Sequence, residues 1–145
     1  MFFTNYDSMK GRQIAENPHV ALVFPWHAAH RQVRVRGVAE RVPAQQSDAY
    51  FAVRPRGSQI GAIASRQSQP VGSREELDEA YARAEAAAGD PVVRPDNWGG
   101  YVVRAHTLEF WHGSESRMHD RFQVKAPQVA RLDDSAAWTV QRLFP

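Results

Sequence analysis

This 145-residue sequence predicts a strand-rich fold with helices inserted between the strands. Three observations carry that expectation. Residues 31–42, RQVRVRGVAERV, set Val33 and Val35 against Arg34 and Arg36, the period-two pattern of a half-buried strand. Residues 73–76 read S-R-E-E, a capping box that opens a helix running to about residue 88. Two further strand-like segments, 100–111 and 117–124, flank HGSES and read as a hairpin. The class is mainly β with inserted helices, either an α+β domain or a helix-decorated barrel.

In chain order, residues 1–5 read as an apolar strand already under way at Phe2 and Phe3. Asp7 or Ser8 can cap a helix over about 9–17, which Asn17-Pro18 stops. HVALVF, 19–24, is a short strand ended by Pro25. Gly37, inside the strand over 31–42, marks a bulge or a close backbone approach. Residues 43–53 look helical, with Pro43 tolerated in the first turn. Pro55 and Gly57 then break the chain before another short helix. Gly89 ends the helix opened at Ser73, and a last strand covers about 137–143. Nothing repeats internally, and no linker divides the chain.

Composition narrows the function. No stretch approaches the roughly 18 apolar residues of a membrane span, and no charged-then-apolar leader is seen, so a cytoplasmic setting is expected. The absence of cysteine excludes disulfides, thiolate catalysis and Cys-type zinc sites. Of 18 basic residues only Lys10 and Lys125 are lysine. Arginine suits phosphate and carboxylate oxygens, although arginine-favouring codons explain the bias equally well. No basic run or nucleic-acid motif is present. Neither a GxGxxG nor a GxxxxGK[ST] loop appears, so a nucleotide-like cofactor would be held by side chains from strands and loops.

Three groups of residues could carry chemistry. Tyr50, Arg54 and Ser58 recur at intervals of four and would share a face on a continuous helix. A phenol, a guanidinium and a hydroxyl together suit a phosphate monoester, whereas a solvated helix end would need no ligand. Arg66, Gln67 and Ser68 in ASRQSQP form a row of donors that either wraps an anion or is a polar loop. Arg117, His119 and Arg121 would line one face of a strand over 117–122, as an anion-binding wall or paired with Glu115, Asp120 or other acids. The six histidines lack metal-ligand spacing, so no metal site is expected.

The order of RPRGSQIGA, SRQS, WGGYVV, EFWHG and RMHDR resembles the pyridoxamine 5′-phosphate oxidase family, with matching pieces from FFTNYDSMKG to the terminal RLFP. The resemblance implies an FMN-binding split β-barrel over 1–145, with a C-terminal dimerisation part at about 99–145 and FMN held at a homodimer interface. It implies FMN contacts from Phe3, Thr4, Met9, Lys10, Gln32, Gln67, Ser68, Trp111 and Arg121. Tyr50, Arg54 and Ser58 would cradle the substrate phosphate. Arg117, Met118 and His119 would meet the substrate ring, with Arg117 and His119 as the catalytic pair. The activity implied is FMN-dependent oxidation of pyridoxamine or pyridoxine 5′-phosphate to pyridoxal 5′-phosphate, with dioxygen as acceptor and hydrogen peroxide released.

Two departures from the family pattern bear on this. Met9 stands where many members have arginine, which removes a charged phosphate contact of about 1–3 kcal/mol by analogy with lost charge-assisted hydrogen bonds. Members also carry a segment ahead of FFTN with barrel strands and an RxxLLK-type stretch, so the barrel is expected to be incomplete at the N-terminus. A non-catalytic flavin- or vitamin-phosphate-binding fragment, and a phenazine-pathway flavin oxidase, are the alternatives.

Overall fold

In a computed structural model, which describes residues 1–145, the elements follow this local chemistry with instructive exceptions. β1 (Phe2–Asn5) leads into α1 (Met9–Glu16). Ser8 caps α1, its Oγ accepting from Gly11 N at 3.1 Å, while Asp7 accepts a hydrogen bond from Asn97 instead. β2 (His19–Trp26) runs through Pro25 rather than stopping there. That residue is tolerated because β2 ends its strand order and leaves one side of its backbone without a neighbour. Then follow β3 (Arg31–Arg41), α2 (Ala44–Ala52), α3 (Arg56–Ala64) and α4 (Arg74–Ala87). β4 (Trp98–His112), β5 (Asp120–Lys125) and β6 (Thr139–Leu143) complete the chain. Ser73 caps α4 by accepting from Glu76 N at 3.2 Å, but the Glu76 carboxylate takes the Gly72 N–H at 3.0 Å instead of closing the box on Ser73.

The elements gather into two compact units. The first, residues 1–16 with 41–102, holds the four helices, β1 and the start of β4. β1 pairs antiparallel with β4, from Phe2 opposite Tyr101 to Asn5 opposite Trp98. Phe51, Ile60, Val92 and Trp98 form its core, with Phe3, Tyr81 and Ala84 packed against them. Full burial of Phe51 and Ile60 contributes about 1.5–3 kcal/mol each, which ties α2 to α3 across the break between them.

The second unit, residues 17–40 with 103–145, is a sheet in the order β2-β3-β4-β5-β6. β2 pairs antiparallel with β3, and β5 pairs antiparallel with both β4 and β6. β2 and β6 end the order, so the sheet is open. Register between β2 and β3 runs unbroken past Gly37, which is therefore not a bulge. Glycine is required there because a Cβ would strike the Arg104 carbonyl on β4. The mainly antiparallel fold with inserted helices is as the sequence predicts. No helix is long and apolar enough to cross a membrane.

One expected strand is corrected. The segment over 117–124 begins pairing only at Asp120. Gly113 N donates to the His30 carbonyl at 2.7 Å, and a 3-10 turn follows at Glu115–Arg117, with Ser116 and Arg117 at φ 57° and 61°. Left-handed backbone cannot continue a ladder. Arg117, His119 and Arg121 therefore do not share one strand face.

Candidate functional site

Tyr50, Arg54 and Ser58 do not lie on one helix. α2 ends at Ala52, and Pro55 starts α3 without a side-chain cap. What aligns them is Gln59, buried in α3, whose Nε2 donates to Phe51 O at 2.8 Å and Ala52 O at 3.4 Å. Phe51 O also accepts from Arg54 N at 3.2 Å, so the carbonyls at the end of α2 are met by both the turn and Gln59. All three predicted residues line one cleft of about 460 Å³ in the first unit, together with Phe3, Thr4, Gln67 and Trp98.

Aromatic rings build part of this cleft. Phe3 stacks on Tyr50 with centroids 3.9 Å apart and on Trp98 at 5.6 Å, with interplanar angles of 16° and 14°. The Arg54 guanidinium carbon lies 4.7 Å from the Trp98 ring centroid and 5.7 Å from that of Phe51. Arg54 Nη1 is buried with no hydrogen-bond partner. A buried charged donor left unsatisfied costs about 1–3 kcal/mol or more, and an anionic oxygen in the cleft would recover it.

Beside the phosphate-type donors sits a second polar group. Thr4 Oγ1 donates to Gln67 Oε1 at 2.8 Å, and Lys10 Nζ donates to Thr4 Oγ1 at 3.0 Å and to Gln67 Oε1 at 3.2 Å. An ammonium has three donors, so one remains for an anion. Ser68 follows at φ 72°, a left-handed turn in the loop after α3. Arg66, the first of the predicted row of donors, instead pairs with Glu76 at 3.3 Å. Met9 is exposed at the start of α1.

The remaining predicted residues belong to the second unit. Gln32 and Trp111 line a separate cleft of about 550 Å³, walled by Trp26, Phe110 and Phe122. His119 lies against Trp111 with centroids 4.9 Å apart. Ser114 N donates to His119 Nδ1 at 3.1 Å, which leaves Nε2 for other partners. Arg121 is paired: Glu109 Oε1 accepts from its Nε at 3.0 Å and lies 2.9 Å from its Nη2, while Nη1 donates to Phe144 O at 3.0 Å. Arg34 approaches the same carboxylate at 3.6 Å. Asp120, an expected acid for this group, pairs with Arg142 instead.

Gln59, Trp98 and Glu109 join the site without a sequence signal of their own. Each lies inside a quoted motif, RPRGSQIGA, WGGYVV and EFWHG, but neither period nor charge marks it as part of a site. Only packing reveals them: Trp98 under Arg54, Gln59 across the helix break, Glu109 against Arg121.

Residues 1–88 match the family described as pyridoxamine 5′-phosphate oxidase, and residues 98–145 match the pyridoxine 5′-phosphate oxidase C-terminal dimerisation region. A Thermobifida fusca (strain YX) protein named pyridoxine/pyridoxamine 5′-phosphate oxidase is 50% identical over 147 residues, covering 99% of this chain and 66% of that protein. A Salinibacter ruber protein of the same name is 48% identical, with the same coverage. The chain thus spans about two thirds of the length of the curated relatives it matches. Among solved structures, PhzG from Burkholderia lata 383, in complex with tetrahydrophenazine-1-carboxylic acid, superposes with a TM-score of 0.84 at 26% identity, covering 99% of this chain and 67% of that one. A pyridoxamine 5′-phosphate oxidase-related, FMN-binding protein from Nostoc punctiforme gives 0.75 at 14% identity, covering 99% of this chain and 72% of that one, a likeness of fold alone.

Proposed function

The chain belongs to the pyridoxamine 5′-phosphate oxidase family, and from that premise we propose that it takes part in FMN-dependent oxidation of pyridoxamine or pyridoxine 5′-phosphate to pyridoxal 5′-phosphate, in the cytoplasm and as a homodimer. When bound, FMN supplies the hydride acceptor, with dioxygen as the final acceptor and hydrogen peroxide as product. The observation that carries the reading is Arg54, which lines a cleft shared with Tyr50 and Ser58 and keeps a buried Nη1 without a partner. Charge plus two hydroxyls fits the terminal oxygens of a phosphate monoester.

In this reading Tyr50, Arg54 and Ser58 hold the phosphate as a remote handle, so that binding energy gained there positions the reacting carbon. Lys10 and the Gln67 amide offer donors suited to the FMN phosphate, held in place by Thr4, with Phe3, Met9 and Ser68 as further contacts. Gln32, Trp111 and Arg121 supply further flavin contacts from the second unit. Arg117 and His119, with Met118, orient the substrate ring and stabilise charge as it develops. Homodimer formation is supported by the match to a dimerisation region and by exposed Phe110, Phe122, Val140 and Phe144 within it. The likeness to PhzG raises oxidation of a tricyclic carboxylic acid as the rival reading; three convergent donors favour the phosphate.

Arg54→Ala tests the assignment. Loss of a hydrogen bond to a charged group, about 1.5–3 kcal/mol, predicts a rise of roughly 10- to 100-fold in KM for pyridoxine 5′-phosphate. An unchanged KM rejects the phosphate cradle.

A further inference from the structure

We propose that Trp98 is the positioning residue for the anion site, presetting the Arg54 guanidinium and thereby setting the preference for phosphorylated over unphosphorylated ligands. The proposal rests on the reading of the cleft as a phosphate site and extends it to a lining residue that acts through Arg54.

Arg54 has no rigid scaffold of its own. It follows the end of α2 and precedes Pro55, so its backbone lies between helices, and an arginine side chain is long and rotamer-rich. The structure sets aromatic faces against it: its guanidinium carbon is 4.7 Å from the centroid of Trp98 and 5.7 Å from that of Phe51. Both distances are within cation–π range, and tryptophan is the strongest partner of that kind. Because the π face holds the cation without using its N–H groups, Nη1 stays buried and unpartnered. A carboxylate in the same place would have consumed those donors and neutralised the charge.

Trp98 is itself fixed on several sides. Its N donates to Pro95 O at 3.0 Å, and its carbonyl accepts from Arg94 Nη1 at 2.5 Å. Arg94 in turn pairs with Asp48 of α2 at 2.6 Å. The indole is 6% exposed, stacks on Phe3 and meets Phe51 edge-on at 5.1 Å. The ring therefore cannot yield when Arg54 leans on it. A preset donor binds its anion without first losing side-chain freedom.

The test compares Trp98→Leu and Trp98→Phe with the unaltered 145-residue chain, using calorimetric titration with pyridoxine 5′-phosphate, pyridoxine and inorganic phosphate, alongside thermal melting. The unaltered chain should bind pyridoxine 5′-phosphate more tightly than pyridoxine. Trp98→Leu should lose that discrimination by about tenfold or more, weakening binding of pyridoxine 5′-phosphate and of inorganic phosphate more than that of pyridoxine. Trp98→Phe, which keeps a weaker π face, should lose about two- to fivefold and melt within a few degrees of the parent. If Trp98→Leu does not fold, the Phe variant decides alone. Discrimination kept at the parental value in the variants overturns the role of Trp98 and leaves the phosphate site standing. No discrimination in the parent chain overturns the phosphate reading, and this proposal falls with it.

Discussion

At Arg117 the period of the sequence and the backbone disagree. Strand alternation would put it beside Arg121, yet its φ of 61° takes it out of the ladder. Two consecutive non-glycine residues in left-handed backbone, Ser116 and Arg117, cost on the order of 1–3 kcal/mol each. Such strain persists where surrounding structure over-determines it, and here Gly113 N on His30 O and Ser114 N on His119 Nδ1 pin the ends of the excursion. Arg121, by contrast, is committed to Glu109 and Phe144 O. The two arginines thus divide into a structurally paired one and one on a strained turn. Arg117→Ala is expected to lower kcat/KM for oxidation by about 10²–10³-fold, the scale of losing one donor to developing charge, while changing FMN retention less than about threefold. Steady-state assay beside flavin absorbance after gel filtration measures both, and equal losses reject a substrate-side role.

Among elements, α4 was the most legible and α2–α3 the least. Ser73 announces α4 by local chemistry alone, and its half of the capping box forms while Glu76 turns to Gly72 N. Glu75 in its first turn is held below the usual carboxylate range by its own backbone N–H and by the Ser73 hydroxyl. A carboxylate depressed in the folded state stabilises above its unfolded value, about 4.3, and that contribution is lost as pH falls through the folded value. Ser73→Ala removes both the cap acceptor and a partner of this carboxylate, so it should melt below the parent at pH 7, and the gap in melting temperature should narrow as the pH drops below the ordinary glutamate range. A gap that widens in acid contradicts the assignment. The α2–α3 break could not be read this way. Pro55 and Gly57 signal an interruption, but the restoring contact is Gln59 reaching back to Phe51 and Ala52, a tertiary bond with no local signature. Periodicity brought Tyr50, Arg54 and Ser58 together for the wrong reason, since one cleft holds them and no single helix does.

At the scale of the whole molecule, five of the nine predicted flavin contacts line two clefts, one in each unit. Phe3, Thr4 and Gln67 line the first, with Lys10 bonded to the last two, and Gln32 and Trp111 line the second. No spacing rule joins residues so far apart in sequence; the order of motifs along the chain carried that part of the reading. The second unit also exposes large apolar side chains, among them Phe24, Trp26, Phe110 and Phe122. Trp26, Phe110 and Phe122 line one cleft, exposed apolar clusters mark interaction sites, and residues 98–145 match a dimerisation region. A second copy of the chain covering that surface is the economical arrangement. The purified chain, mixed with FMN and freed of excess flavin by gel filtration, is therefore expected to elute at dimer size with a retained flavin spectrum. Retention at monomer size would separate flavin binding from assembly and reject the dimer. A colourless dimer would keep the assembly but reject flavin binding by this chain.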